Sequence, residues 1–183
     1  MLNELRARIG SYFLNREFHT IKRIVKTSNL HDAKKIGVIY NARNDHHFEN
    51  VKKFINSING TGKSVMSLGF VNRKEEIGTL KGSREFNFFS VDDFNWYFRP
   101  VSPKVDNFIA QEFDILIDIR LRKSIPLLFI IALSRARMKV GRYAEKYADF
   151  YDLMIEVEKE DGLQYFINQI NPFLTKLHTN NVH

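Results

Sequence analysis

Short apolar runs alternate along this chain with longer stretches whose apolar residues recur every three or four positions. Lys35-Ile36-Gly37-Val38-Ile39-Tyr40-Asn41 predicts a first strand, apolar through its middle, as for a strand covered on both faces. Asn44 or Asp45 can cap the next helix, which repeats Phe48, Val51, Phe54, Ile55 and Ile58 until Asn59-Gly60-Thr61-Gly62 stops it. Further strands are predicted over 64–71, 86–91, 113–119, 138–143 and 151–157, of which 113–119 is the clearest. Val105, Phe108 and Ile109 mark a short helix. The run 127–133, opened by Ser124 and Pro126, is apolar enough to be buried on most sides. A last helix spans 163–177, and Pro172 should kink or split it.

Residues 2–26 read as one basic amphipathic helix, with Leu5, Ile9, Tyr12, Phe13, Leu14, Phe18, Ile21 and Val25 at helical spacing. It forms an N-terminal segment, 1–30, ahead of a single domain at 31–183. Such a helix packs its apolar stripe on its own domain or lies on a membrane interface. Burial of Ile9, Phe13 and Ile21 would count against the membrane. The alternation of strands and helices predicts an α/β, three-layer Rossmann-like fold. Its six-stranded sheet is mainly parallel, in the order 3-2-1-4-5-6, with helices on both faces.

Composition narrows the function classes. The 183 residues allow one domain, and 44% hydrophobic content with 16 Phe excludes a largely disordered chain. The absence of Cys removes disulfides, zinc ribbons and thiol chemistry. The longest apolar run, 125–133, is far short of the roughly 20 residues that span a bilayer. Arginines and lysines interrupt the N-terminus, so no secretory signal is visible. The expectation is a cytoplasmic protein, membrane-peripheral if the first helix meets lipid.

The net charge of +7 is patchy: +5 over 1–35 and +6 over 120–150, against −4 over 86–119 and −3 over 151–183. Basic patches suit a phosphorylated small molecule, a protein partner or an anionic membrane surface. They also form ordinary solvated faces. Nucleic acid is disfavoured, because the aromatic stretch Asp92-Asp93-Phe94-Asn95-Trp96-Tyr97-Phe98-Arg99-Pro100, which could stack bases, has acidic surroundings. That stretch reads better as a lid over the sheet edge. No pattern in the chain specifies an oligomeric state.

In an open parallel sheet, ligands bind beyond the carboxyl ends of the strands. The residues expected there are Asn41, Arg43, Asn44, Asp45 and His46 after the first strand, and Asn72 and Arg73 after the second. Arg120 and Arg122 follow the fourth strand and Tyr143 the fifth. This polar, cationic set suits a phosphate or carboxylate held by arginine forks. It equally reads as loop residues that cap helices and pair with Asp92 and Asp93. An anion site demands that Arg43, Arg73 and Arg120 converge in one concavity.

Other motifs carry less. Gly60-Thr61-Gly62-Lys63-Ser64 lacks the first glycine of a phosphate loop, since Ser57 stands there, and it ends a helix instead of opening one. No glycine fingerprint for a dinucleotide follows the first strand, so no cofactor is expected. His46 and His47 point about 100° apart on a helix, and no metal is expected from them without a third ligand. Asp45 and His46 form the one close acid–base pair at the expected site.

Two resemblances follow from particular residues. Phe113-Asp114-Ile115-Leu116-Ile117-Asp118-Ile119, then Ala136-Arg137-Met138-Lys139-Val140-Gly141-Arg142-Tyr143, then Tyr151-Asp152-Leu153-Met154-Ile155-Glu156-Val157 resemble the N-terminal lobe of heptosyltransferase-type glycosyltransferases. With its basic N-terminal helix, Asp93-Phe94-Asn95-Trp96 and Lys139-Val140-Gly141, the chain is also similar to a family of small uncharacterised proteins of Bacteroidetes. The first resemblance implies a Rossmann-like lobe and, by analogy, glycosyl or phosphoryl transfer. Those enzymes use two lobes, and the loop after their first strand is glycine-rich where this chain has Asn41-Ala42-Arg43-Asn44-Asp45. No catalytic residue therefore carries over. The expected function is a non-catalytic ligand-binding or interaction module. The alternatives are a small transfer enzyme and a peripheral membrane or nucleic-acid protein using the basic patches.

Overall fold

The computed structural model describes residues 2–42, 45–73, 75–80, 86–157 and 162–177. Its six strands are β1 (Lys35–Asn41), β2 (Ser64–Phe70), β3 (Asn87–Phe89), β4 (Ile115–Asp118), β5 (Met138–Arg142) and β6 (Leu153–Ile155). They form one sheet in the order β3-β2-β1-β4-β5-β6, parallel at every pairing. The helices are α1 (Leu2–Phe18), α2 (Asp45–Asn59), α3 (Glu75–Thr79), α4 (Pro103–Ala110), α5 (Ile125–Leu133) and α6 (Leu163–Lys176).

Strand alternation divides the core in two. Val38, Ile117 and Val140 face α2 and α6, where Phe48, Val51, Phe166 and Ile170 pack. Ile39, Leu68 and Leu116 face α4 and α5 on the other side. Helix α5 is apolar all round, and every residue from Pro126 to Leu133 is buried. Such a helix needs cover on its outer side as well, and α1 supplies it through Leu14, Phe13 and Phe18.

Four local expectations change. The first helix stops at Phe18 instead of running to residue 26. The extended segment after it is held by tertiary bonds: Lys26 N–H donates to Arg137 O, and Arg23 donates to Ala136 O, Arg137 O and Asp152. The strands at both sheet edges are shorter than their apolar runs. The charged connection after β2 contains the short α3. Pro172 sits inside a continuous α6, where Phe166, Ile170 and Leu174 are packed against the sheet on both sides of it.

The aromatic stretch does cover the sheet edge. Phe94 stacks on Phe70 and meets Phe89, and the loop closes through a Phe94–Pro100 bridge. Among the described residues no helix is long and apolar enough to cross a membrane.

Candidate functional site

The carboxyl ends of β4 and β5 open into a cleft of about 190 Å³. Asp118, the last residue of β4, starts its construction. Its carboxylate is almost fully buried and takes an ion pair from Arg120 Nε at 2.7 Å. It also accepts the Arg120 backbone N–H at 3.1 Å and the Tyr151 hydroxyl at 2.6 Å. Arg120 also donates from Nη1 to Ser124 O and from Nη2 to the Tyr151 oxygen, each at 2.7 Å.

Burial pushes the Asp118 carboxyl up, against the opposing pull of the Arg120 guanidinium and the Tyr151 hydroxyl. For Arg120, burial works against the charge, but Asp118 and Tyr151 outweigh it and raise the guanidinium's pKa. Burial and the neighbouring carboxylate push the Tyr151 phenol up as well, so it stays protonated and donates to Asp118. The three side chains form a buried, mutually hydrogen-bonded unit whose charges cancel.

Arg142 stands on the neighbouring strand and is different in kind. Its Nη1 donates to Leu121 O at 2.9 Å, and its Nε and Nη2 donate to Val157 O at 3.2 and 2.9 Å. These partners are carbonyls. They fix the half-buried guanidinium in place without cancelling its charge, and among the described residues no carboxylate pairs with it. Two of its five N–H donors remain for a ligand. Arg122 and Lys123 are exposed on the loop beside it, with the Lys123 ammonium 5.9 Å from the centre of the Tyr147 ring. Tyr143 stands half-exposed at the rim. The lining thus holds four cationic side chains, Arg120, Arg122, Lys123 and Arg142, against the single carboxylate of Asp118.

Of the residues expected from the sequence, Arg120, Arg122 and Tyr143 come together here. Asn41 ends β1 half-buried, and Asn72 and Arg73 are exposed after β2; none of the three lines this cleft. Arg43 and Asn44 lie outside the described residues, as do the side chains of Asp45 and His46, whose backbone opens α2. Arg73 does not line this cleft, so the expected convergence of Arg43, Arg73 and Arg120 is not found among the described residues; Arg120 is joined here instead by Arg122, Lys123 and Arg142. Sequence reasoning passed over Asp118, Lys123, Arg142, Tyr147 and Tyr151. Arg142 could have been found, since it is the last residue of the fifth strand. Tyr151 could not, because only folding carries it across to Asp118.

An all-parallel six-stranded sheet defines a Rossmann-like α/β protein, and its cationic cleft stands at the carboxyl edge, where this architecture favours ligand sites. Residues 6–177 match the family of unknown function DUF6913, and the chain belongs to that family. No curated protein and no solved structure matches it.

Proposed function

We propose that this chain is a ligand-binding module that holds a phosphate-bearing small molecule in the cleft between the β4 and β5 ends. The observation that carries this reading is Arg142, a half-buried guanidinium held by the Leu121 and Val157 carbonyls with its charge left unbalanced. A cation locked in this way is preorganised for an anion and loses little freedom on binding. Arg122 and Lys123 add charge at the mouth, and Tyr143 and Tyr147 offer ring surfaces to whatever carries the phosphate.

Binding is favoured over glycosyl or phosphoryl transfer by the state of Asp118. It is the one carboxylate in the described lining, and its three donors leave it unsuited to accept a substrate proton.

The test is a thermal-shift screen of the full chain against inorganic phosphate, pyrophosphate, nucleotides and sugar nucleotides. A ligand at about 100 times its Kd stabilises the fold by roughly 2.7 kcal/mol. The shift should disappear in R122A/K123A, whose side chains are exposed and leave the fold intact. A flat response across all four classes would refute the site, and turnover of a bound nucleotide or sugar nucleotide would replace binding with catalysis.

A further inference from the structure

Helix α1 has two apolar faces with different fates. One, built on Gly10 and Leu14 with Phe13 and Phe18, is packed on the domain. Gly10 is required there, since any Cβ would run into the Tyr97 carbonyl oxygen. On the opposite side Leu5 and Tyr12 stay exposed, and Leu2 is 72% exposed at the helix start. The helical repeat places Arg8 and Arg16 among them, both exposed. Glu4 is the one acid in the same N-terminal groove, which Leu2, Leu5 and Arg8 complete.

The chain's sole tryptophan stands, beside Arg6, in the loop on which α1 packs. Arg6 Nε donates to Trp96 O at 2.5 Å, and the Arg6 guanidinium lies 4.4 Å from the centre of the Phe98 ring. Phe13 stacks on Tyr97 at 4.7 Å, and Glu17 pairs with Arg99 at 2.9 Å, so α1 and the loop form one rigid body. The loop is held tightly enough to keep Phe98 at a φ of 67°, a left-handed conformation that is strained for a phenylalanine. It nevertheless leaves Trp96 58% exposed. Leu and Tyr side chains interspersed with Arg8 and Arg16 on α1, with Trp96 exposed on the adjoining loop, complement a surface that is apolar below and anionic above.

We infer that the exposed face of α1, together with Trp96, docks in the plane of an anionic phospholipid membrane. The arginines meet headgroup phosphates while Leu2, Leu5, Tyr12 and Trp96 enter the acyl boundary. The packed face stays on the domain, so docking requires no unfolding of α1. Ile9, Phe13 and Ile21 are half-buried, the last two against the core, which counts against lipid contact by the stripe expected from the sequence; the lipid-facing set is a different one.

Trp96 is its own reporter. The full chain should co-sediment with vesicles of phosphatidylcholine containing phosphatidylglycerol, and its tryptophan emission should shift to the blue. Vesicles of phosphatidylcholine alone should do neither. Each basic side chain near an anionic surface contributes about 1 kcal/mol, a factor of roughly five, so R8A/R16A should bind roughly 25-fold more weakly. The folded state of that variant is checked by an unchanged melting temperature. Binding to neutral vesicles with equal affinity, an unshifted emission on anionic vesicles, or a face occupied by a second copy of the chain in solution would each overturn the inference.

Discussion

The ring of Tyr151 crosses β5 at Gly141, and its hydroxyl reaches Asp118 on the strand beyond. Gly141 and Asp118 are register partners, so the phenol passes over one strand to bond the next. A Cβ at position 141 would collide with Cε1 of that ring. The buried ion pair and the cleft wall therefore depend on a hydrogen atom at Gly141.

G141A should destabilise the protein by about 1–3 kcal/mol, the usual cost of overpacking. The cost should fall in a Y151A background, because the colliding ring is gone. Urea denaturation of the two single variants and the double variant measures the coupling. Additive losses would show that the ring and the missing side chain do not compete.

D118A leaves the Arg120 guanidinium buried without its carboxylate and should cost about 3–5 kcal/mol. Y151F removes two hydrogen bonds to charged groups, the donation to Asp118 and the acceptance from Arg120, and should cost at least about 1.5–3 kcal/mol. The order of the two denaturation midpoints is the check. If D118A unfolds no earlier than an exposed control such as E145A, the pair does not support the fold.

Lys139 gives stability a predictable pH dependence. Its side chain is fully buried under α5, with Nζ donating to Ala132 O at 3.1 Å. Burial first, then the nearby Arg23 charge, lower its pKa to about 7, with Asp152 pulling the other way. Below about pH 7 the lysine is protonated folded and unfolded alike, and the full cost of the buried charge is present. Between that point and its ordinary value of 10.5 the unfolded chain binds the extra proton, so stability should rise with pH. The slope approaches about 1.4 kcal/mol per pH unit. K139M should be more stable than the natural chain at neutral pH and should lack this rise. Parallel pH profiles for the two proteins would count against it.

Much of the architecture was legible because local patterns report it. Continuous apolar strand segments such as 36–40 and 115–117 are buried on both faces, and the helices between them carry the 3.6 period. The right-handed crossover preference then leaves few strand orders. Helix ends were harder to read. Ile21 and Val25 continue the helical spacing past Phe18, yet Arg23 and Lys26 find their partners at Ala136, Arg137 and Asp152, more than 100 residues away. No local window contains that information.

The site divides in the same way. By itself the sequence determined that cations follow β4 and that no cysteine or glycine fingerprint offers another chemistry. Only the tertiary structure decided which of those cations is free. Arg120 is neutralised by Asp118 and hydrogen-bonded to Tyr151, whereas Arg142 receives carbonyls and keeps its charge. The physical reason is that the identity of a side chain gives its charge, but its partners in the fold, the Asp118 carboxylate for Arg120 and the Leu121 and Val157 carbonyls 21 and 15 residues from Arg142, decide whether any of that charge is left for a ligand.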